Sequence, residues 1–204
     1  EREKFMKRDY PRPNLYRDNI MLLDGKWLLD TDEINVPYPP QSKLSGYSKD
    51  VPDRFTYSKE FRVDELVFDE GSRFILHFGA IDQIAKVYVN DVLLGEHVGG
   101  YLSFQYDVTE AVNPDGVNRI VVEVTDELDV TYPYGKQCKK SHSMWYTCAS
   151  GIWKSVFIEV VPREYISDIK TTITDIFTKI SVDINSYIDN DKAYENERRI
   201  RKIV

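Results

Sequence analysis

The sequence has few cysteines, few histidines and no long hydrophobic run. Its 204 residues include only two cysteines, Cys138 and Cys148, and three histidines. Neither cysteine forms a Cys-x-x-Cys pair or stands at zinc-finger spacing from a histidine. No apolar run approaches the roughly 18 residues that a membrane helix needs. We therefore expect no metal, no other cofactor and no membrane partner.

The two cysteines flank one loop and leave two interpretations open. A disulfide would close the loop and restrict the unfolded chain. Two free thiols, as in a cytoplasmic protein, are the simpler interpretation and the one we favour. The residues before position 20 contain no apolar segment typical of a secretion signal, which also favours a cytoplasmic location.

Basic residues are too few and too scattered for a nucleic-acid partner. The chain has 27 Lys and Arg against 34 Asp and Glu, a formal net charge of −7. Nucleic-acid binding requires a concentrated positive surface. The hydrophobic content of 42% is instead that of an ordinary globular protein.

Short alternating segments dominate what remains. Residues 55–63 place Phe55, Tyr57, Phe61 and Val63 on one side of an extended chain, the period of a half-buried strand. Asn90-Asp91 separates two further apolar runs and suits a tight hairpin, because both residue types tolerate positive φ. Seven or eight such strands without a convincing helix predict a β-sandwich.

Proline, glycine and charge divide the chain into three predicted parts. Residues 1–19 carry Pro11 and Pro13 and are predicted to form an extended arm. Residues 20–162 form the predicted sandwich, with a long ordered loop from Ile34 to Asp53, where prolines and glycines are dense. Residues 163–204 are predicted to contain two more strands and a charged tail from Asp189 to Lys202.

One loop carries the best candidate binding residues. Gln137, His142, Trp145 and Tyr146 bring amide, imidazole and aromatic groups together just before a strand. A pyranose offers an apolar C–H face and hydroxyl edges, so this combination favours carbohydrate binding. His97 and Tyr101, beside the glycines at 95, 99 and 100, are further candidates.

Four of these candidates also have a structural interpretation. An exposed loop histidine such as His142 is usually only solvated. Gln137 is equally suited to bracing the loop, and His97 to holding its turn through a backbone hydrogen bond. Trp145 is also suited to capping the edge of the sandwich. Trp27 and Trp153 are expected in the core, and His77 is expected to be a hydrogen-bonded sheet residue.

The richest group of acidic residues is Glu123, Asp126, Glu127 and Asp129. Paired carboxyl groups on one strand face would suit glycoside hydrolysis. Only Glu123 lies within the predicted strand, so a solvated strand end explains these charges, and we expect no catalysis from them.

Several motifs then resemble a known family. They are Tyr10-Pro11-Arg12-Pro13, Val36-Pro37-Tyr38-Pro39-Pro40, Leu76-His77-Phe78-Gly79-Ala80, Val87-Tyr88-Val89-Asn90, Gly95 to Tyr101, Phe104, Asp107-Val108-Thr109, Gly135-Lys136-Gln137, Trp145-Tyr146-Thr147 and Ser150-Gly151-Ile152-Trp153. In this order they resemble the N-terminal sugar-binding domain of glycoside hydrolase family 2, which includes β-galactosidases and β-glucuronidases.

The resemblance implies a jelly-roll β-sandwich of the galactose-binding-domain type, followed by an immunoglobulin-like domain and a TIM barrel. In the family the two catalytic glutamates lie on the barrel. Only about 40 residues follow the predicted sandwich, against roughly 250 for a barrel. We therefore interpret residues 163–204 as the first strands of a truncated immunoglobulin-like domain, and expect the chain alone to be inactive.

The sequence departs from the family at two positions. One β-galactosidase branch has a metal-binding aspartate before its Met-Trp pair, where this chain has Ser143. The β-glucuronidases have a substrate-binding aspartate in the same loop, but no Asp or Glu occurs between Lys136 and Val156. Neither site is carried over.

Three functional hypotheses follow. The first is a non-catalytic domain that supports the active site of a β-galactosidase-like retaining enzyme acting on a terminal β-linked sugar. The second is a free-standing carbohydrate-binding module. The third is a purely structural domain that forms homo-oligomer contacts.

Overall fold

The computed structural model describes residues 16–175, 179–187 and 197–203, and the regular structure of these residues is almost entirely β-strand. In this part of the chain there is no α-helix, and no helix long and apolar enough to cross a membrane. A 3₁₀ turn occurs at Lys43–Ser45. The strands are β1 Ile20–Leu22, β2 Gly25–Leu29, β3 Asp32–Val36, β4 Arg54–Phe61, β5 Arg73–Phe78, β6 Ile81–Asp82, β7 Ile84–Val89, β8 Val92–Val98, β9 Phe104–Asp107, β10 Asn118–Thr125, β11 Gln137–Cys138, β12 Tyr146–Thr147, β13 Gly151–Ile152, β14 Val156–Val161, β15 Tyr165–Asp175, β16 Lys179–Tyr187 and β17 Glu197–Ile203.

Two sheets make up the predicted sandwich. One has four strands in the order β1-β14-β5-β9, and the other has six in the order β3-β2-β4-β10-β7-β8. Strand β10 lies inside the larger sheet and pairs antiparallel with both β4 and β7. This is the jelly-roll β-sandwich that the sequence predicted.

The core follows from the alternation along these strands. On β10, Ile120, Val122 and Val124 are buried, whereas Arg119 and Glu123 beside them are exposed. Val122 lies opposite Tyr57 on one side and Val87 on the other. Since successive side chains of a strand point to opposite faces, the apolar set fills the space between the sheets.

The hairpin predicted at Asn90-Asp91 is confirmed. The two residues connect β7 to β8 with φ angles of 49° and 66°. Asn90 also donates a hydrogen bond from Nδ2 to the side chain of Asn118 at 2.7 Å, which ties the turn to β10. A two-residue hairpin with a type I′ turn requires positive φ at both central residues.

The predicted loop from Ile34 to Asp53 begins too early. Ile34 and Val36 belong to β3, where they pair with Trp27 and Gly25 of β2. Prolines remove backbone donors only from Pro37 onward, so the ladder continues up to Val36. Trp27 is buried, as predicted, and donates from Nε1 to the carbonyl of Leu23 at 2.7 Å.

Contacts divide the chain into two compact units. One comprises residues 20–67 and 74–159, and the other includes residues 68–73 and the chain from 160 onward. In the second unit, β15, β16 and β17 form a three-stranded antiparallel sheet. The domain boundaries at 19 and 162 and the immunoglobulin-like assignment stay predictions.

Strand β17 lies where the sequence predicted only a charged tail. Its backbone pairs with β16 along the whole strand, from Glu197 opposite Tyr187 to Ile203 opposite Ser181. Backbone pairing with a neighbouring strand overrides the low strand preference of charged residues. Most of the predicted arm, residues 1–15, lies outside the described residues.

Candidate functional site

The candidate residues lie mainly on one long connection, residues 126–150 between β10 and β13, which we call the 126–150 loop. Its two short strands, β11 and β12, pair in parallel with Gln137 opposite Tyr146. The Gln137 amide donates to the carbonyl of Tyr134 at 2.8 Å and accepts from the Ala149 backbone N–H at 2.6 Å. Gln137 therefore braces the loop, the structural one of its two predicted roles.

A second glutamine, which the sequence did not single out, fastens the end of this loop. Gln41 donates from Nε2 to Ser150 Oγ at 2.8 Å and accepts from the Ser150 backbone N–H at 3.1 Å. Both ends of one amide thus hold one residue. Gln41 follows Pro39-Pro40 in a proline-rich loop. A polar residue in such a loop gives no sequence signal that its partner, Ser150, lies 109 residues away.

The braced loop exposes its apolar side chains. Trp145 is 39% exposed and Tyr146 67% exposed, and Met144 beside them is 62% exposed. The Trp145 backbone N–H donates to the carbonyl of His142 at 2.9 Å, so the turn beneath the rings is ordered. An exposed aromatic pair on an anchored loop suits stacking against a sugar ring. Trp145 does not form part of the sandwich core.

His142 is also exposed, and its ring is engaged locally. Its Nδ1 lies 2.9 Å from the carbonyl of Lys140 and 4.0 Å from Cys138 Sγ. Cys138 and Cys148 are both free thiols in the structure, as the favoured interpretation held. Burial raises the pKa of the Cys148 thiol, which disfavours its reactive thiolate form.

His97 and Tyr101 lie apart from that loop in the sequence, at the end of β8 and just after it. His97 Nε2 lies 3.1 Å from the carbonyl of Gly99, and its ring stacks on Phe104 with centroids 4.0 Å apart. It has the turn-holding contact predicted as its structural role. Tyr101 is 46% exposed and packs edge-on against Trp153 at 6.2 Å.

Trp153 differs from its prediction as a core residue. Its ring is only half-buried, and Nε1 donates to the carbonyl of Gly100 at 2.7 Å. The ammonium of Lys154 lies 4.7 Å from the ring centroid. The Trp153 ring therefore donates its N–H to a loop carbonyl and contacts a solvated cation. These contacts place the ring at the rim of the sandwich rather than in its core.

The acidic strand end is not simply solvated, which corrects the sequence interpretation of Asp126. Asp126 is only 6% exposed, whereas Glu127 and Asp129 beside it are exposed. Asp82, on β6, is 4% exposed. Burial and the negative charge of Asp126 raise the pKa of Asp82 to about 7.

Another buried polar contact belongs to the sheet itself. His77 Nε2 lies 2.8 Å from Glu159 Oε1, with both side chains buried, and the imidazole stacks on Phe157 at 4.3 Å. This confirms His77 as a hydrogen-bonded sheet residue. In the described part of the chain, no group of three or more His, Cys, Asp or Glu side chains is placed to hold a metal ion.

The two sheets and the 126–150 loop define this protein as a jelly-roll β-sandwich domain that presents exposed aromatic side chains. Residues 21–162 match the sequence model described as "Glycosyl hydrolases family 2, sugar binding domain". This match covers more than half of the chain, which belongs to that family as its sugar-binding domain.

Curated proteins named as glycosidases are similar to this chain. A β-galactosidase of Thermoanaerobacter pseudethanolicus is 30% identical over 72% of this chain and 20% of its own length. A putative β-glucuronidase of Formosa agariphila is 28% identical over 80% of this chain and 18% of its own length. The chain thus spans about a fifth of the length of these relatives.

Solved structures agree on the fold. A family 2 glycosyl hydrolase of Bacteroides cellulosilyticus has a TM-score of 0.57 and 22% identity over 82% of this chain and 24% of its own. A β-glucuronidase of Ruminococcus gnavus has a TM-score of 0.62 and 18% identity over 94% of this chain and 41% of its own. At these identities the similarity establishes the architecture alone.

Proposed function

We propose that this domain supports the active site of a longer, β-galactosidase-like retaining glycosidase whose catalytic glutamates lie on a TIM-barrel domain. The domain shapes the rim of the sugar pocket, and the 126–150 loop supplies the contact residues. The enzyme hydrolyses a terminal β-linked sugar through a covalent glycosyl intermediate. Its remaining partners are the immunoglobulin-like and barrel domains. A homo-oligomer and a cytoplasmic location remain predictions.

The observation that carries this proposal is the combination of exposure and bracing in the 126–150 loop. Trp145 and Tyr146 are exposed, yet the loop beneath them is held by Gln137 and Gln41. Exposed aromatic rings lose less conformational entropy on binding when their backbone is already ordered. The arrangement supports recognition by a preformed surface.

The carboxyl groups of the chain do not support catalysis by this domain alone. Asp82 and Asp126 are a buried pair with one pKa raised, a pattern found at acid–base sites. Asp82 is not among the side chains that line the neighbouring cavity, however, and it packs against Gly100. A general acid must reach the leaving group, so a sealed carboxyl cannot fill that role.

The 204-residue chain is expected to be inert towards nitrophenyl β-galactoside and nitrophenyl β-glucuronide. The measurement is nitrophenol release, with heat-denatured protein as the control. Turnover above that control would refute the proposal, and loss of that turnover in Asp126→Asn would locate the reaction at the buried pair.

The free-standing binding module, the second candidate, rests on the same exposed rings. It requires measurable sugar affinity of the isolated chain, lost in Trp145→Ala. Calorimetric titration with galactosides and oligosaccharides separates the two candidates, since a supporting domain needs its barrel to complete the pocket. Trp145→Ala changing assembly instead of binding would favour the structural hypothesis.

A further inference from the structure

Below the acidic strand end lies a cavity of about 220 Å³. Its walls include Gln83, Asp126, Tyr132, Tyr134 and the side chain of Arg54. All belong to the sandwich unit. The volume is below the roughly 300–1,000 Å³ of clefts that hold drug-sized ligands, which limits the occupant to a single small ring.

Two polar side chains on these walls are buried without a complete set of partners. Gln83 is 5% exposed and Asp126 6% exposed. Gln83 Nε2 and Asp126 Oδ2 have no hydrogen-bond partner among the described residues. The other oxygen of Asp126, Oδ1, accepts from the Leu128 backbone N–H at 3.3 Å. A buried polar atom left unpaired destabilises the fold, so groups of this kind are normally satisfied by a partner.

The remaining charges at this cavity already have partners. Arg54 pairs with Glu127 at 3.2 Å. Asp129 Oδ1 accepts from the Thr131 backbone N–H at 2.8 Å. Among the described residues that line the cavity, the buried donor and acceptor without a hydrogen-bond partner are therefore Gln83 Nε2 and Asp126 Oδ2.

These two groups restrict the chemistry of an occupant. An anion would accept from Gln83 but would be repelled by Asp126. A cation would pair with Asp126 but would leave the Gln83 donor unsatisfied. A hydroxyl both donates and accepts, and neighbouring hydroxyls on one ring can donate to Asp126 while accepting from Gln83. The rings of Tyr132 and Tyr134 offer apolar surface for C–H groups.

We propose that the Gln83–Asp126 cavity binds a single neutral sugar ring through adjacent hydroxyl groups. One hydroxyl donates to Asp126 Oδ2, and its neighbour accepts from Gln83 Nε2. This site is built from Gln83, which lies between β6 and β7, from the end of β10 and from the start of the 126–150 loop. It uses none of the exposed side chains from Gln137 to Tyr146 and does not rest on the function proposed for them.

The test is an NMR titration of the ¹⁵N-labelled 204-residue chain with methyl β-D-galactopyranoside and methyl β-D-glucopyranoside at millimolar concentrations. We expect saturable shifts of the Gln83 side-chain amide and of the backbone amides of residues 125–134. Asp126→Asn and Gln83→Leu should each weaken this binding at least tenfold, with folding checked by thermal melting. Gln83→Leu alone carries the test if Asp126→Asn does not fold.

Trp145→Ala is the matched control, because it alters the exposed rings and leaves the cavity walls intact. We expect it to keep the shifts at residues 125–134. Shifts confined to residues 137–146 and lost in Trp145→Ala would overturn the cavity site while supporting the loop.

Sodium glucuronate and methylammonium chloride are the charged probes. Binding of either at residues 125–134 that equals or exceeds that of both neutral glycosides would overturn the assignment of a neutral ring. No shift with any probe would mean that the cavity takes solvent only, which would also overturn it.

Discussion

The middle of strand β10 and its end bury side chains of opposite character within a few residues. In the middle, Ile120 and Val122 are fully buried among apolar neighbours, and the strand pairs on both sides. At the end, Asp126 is nearly as buried, but one of its carboxylate oxygens has no hydrogen-bond partner in the part of the chain that the structure describes. The buried apolar side chains in the middle stabilise the fold. The buried carboxylate at the end destabilises it, and such a group is retained where a ligand is expected to bind.

The contrast teaches that burial alone does not identify the core. Apolar burial is favourable wherever it occurs, but a buried carboxylate is favourable only with donors around it. Mutations in the middle of the strand and at the buried acidic residues beside its end should therefore change stability in opposite directions.

Truncating the middle of the strand should have the largest effect. Ile120→Ala removes a fully buried side chain, and deletions of this kind cost about 2–5 kcal/mol of unfolding free energy because the cavity only partly collapses. Urea unfolding followed by tryptophan fluorescence measures the change. Val130→Ala, at a side chain that is 82% exposed, is the control and should change the free energy by less than about 0.5 kcal/mol.

Neutralising the buried acid beside Asp126 should stabilise the protein at alkaline pH. The pKa of Asp82 is raised to about 7 from an ordinary 3.8, so between these values the folded state holds a proton that the unfolded state has lost. The contribution of this group to stability is therefore fully present below about pH 4, falls as pH rises towards 7 and stays low above it. At about 1.4 kcal/mol per pKa unit, the loss is of the order of 2–4 kcal/mol.

Asp82→Asn should remove this slope. Urea unfolding at pH 4.5 and pH 8 measures it, with the exposed Asp50→Asn as a control that keeps the slope of the unaltered protein. An Asp82→Asn variant that is equally destabilised at both pH values would show that the carboxyl group is favourable in the fold, and would contradict the contrast between the middle of β10 and its end.

Removing the brace of the 126–150 loop should have an intermediate effect. Gln41→Ala deletes both hydrogen bonds to Ser150 and should cost about 1–2 kcal/mol. Amide hydrogen exchange of Ser150 should accelerate together with that of the loop. Gln105→Ala, at an exposed glutamine on β9, is the matched control, and equal effects of the two changes would contradict the bracing role.

Removing an exposed ring should change stability least. Trp145 is 39% exposed, so Trp145→Ala should change the unfolding free energy by less than about 1 kcal/mol. In the proposed longer enzyme, the same change should raise KM for β-galactosides. A large loss of stability with unchanged KM would place Trp145 in the packing of the domain rather than in its sugar contacts.

Local patterns predicted the strands well because their causes are local. The alternation of residues 55–63 and the Asn90-Asp91 turn both depend on neighbouring residues, and both are confirmed. Strand β17 was missed because its charged residues reveal nothing of the β16 backbone with which they pair. Trp153 was misplaced because a tryptophan has the same sequence signal in the core and at the rim.

The site was predicted only in outline. Gln137 was named, but its choice between bracing and sugar contact depends on the positions of Tyr134 and Ala149. Gln41 and Gln83 were not named at all, since a single amide in a loop or beside a strand has no pattern around it. Asp126 was interpreted as solvated because neighbouring acidic residues usually are.

By itself the sequence determined the sandwich, its family and the loop that carries the exposed rings. The alternation of apolar residues, the residue types at turns and the order of the motifs are all properties of the sequence itself. Only the tertiary structure decided that Asp126 is buried, that Asp82 titrates near neutrality and that Gln41 fastens the loop. These properties arise from residues far apart in the chain, and the electrostatic and hydrogen-bond energy of a group depends on what folding places beside it.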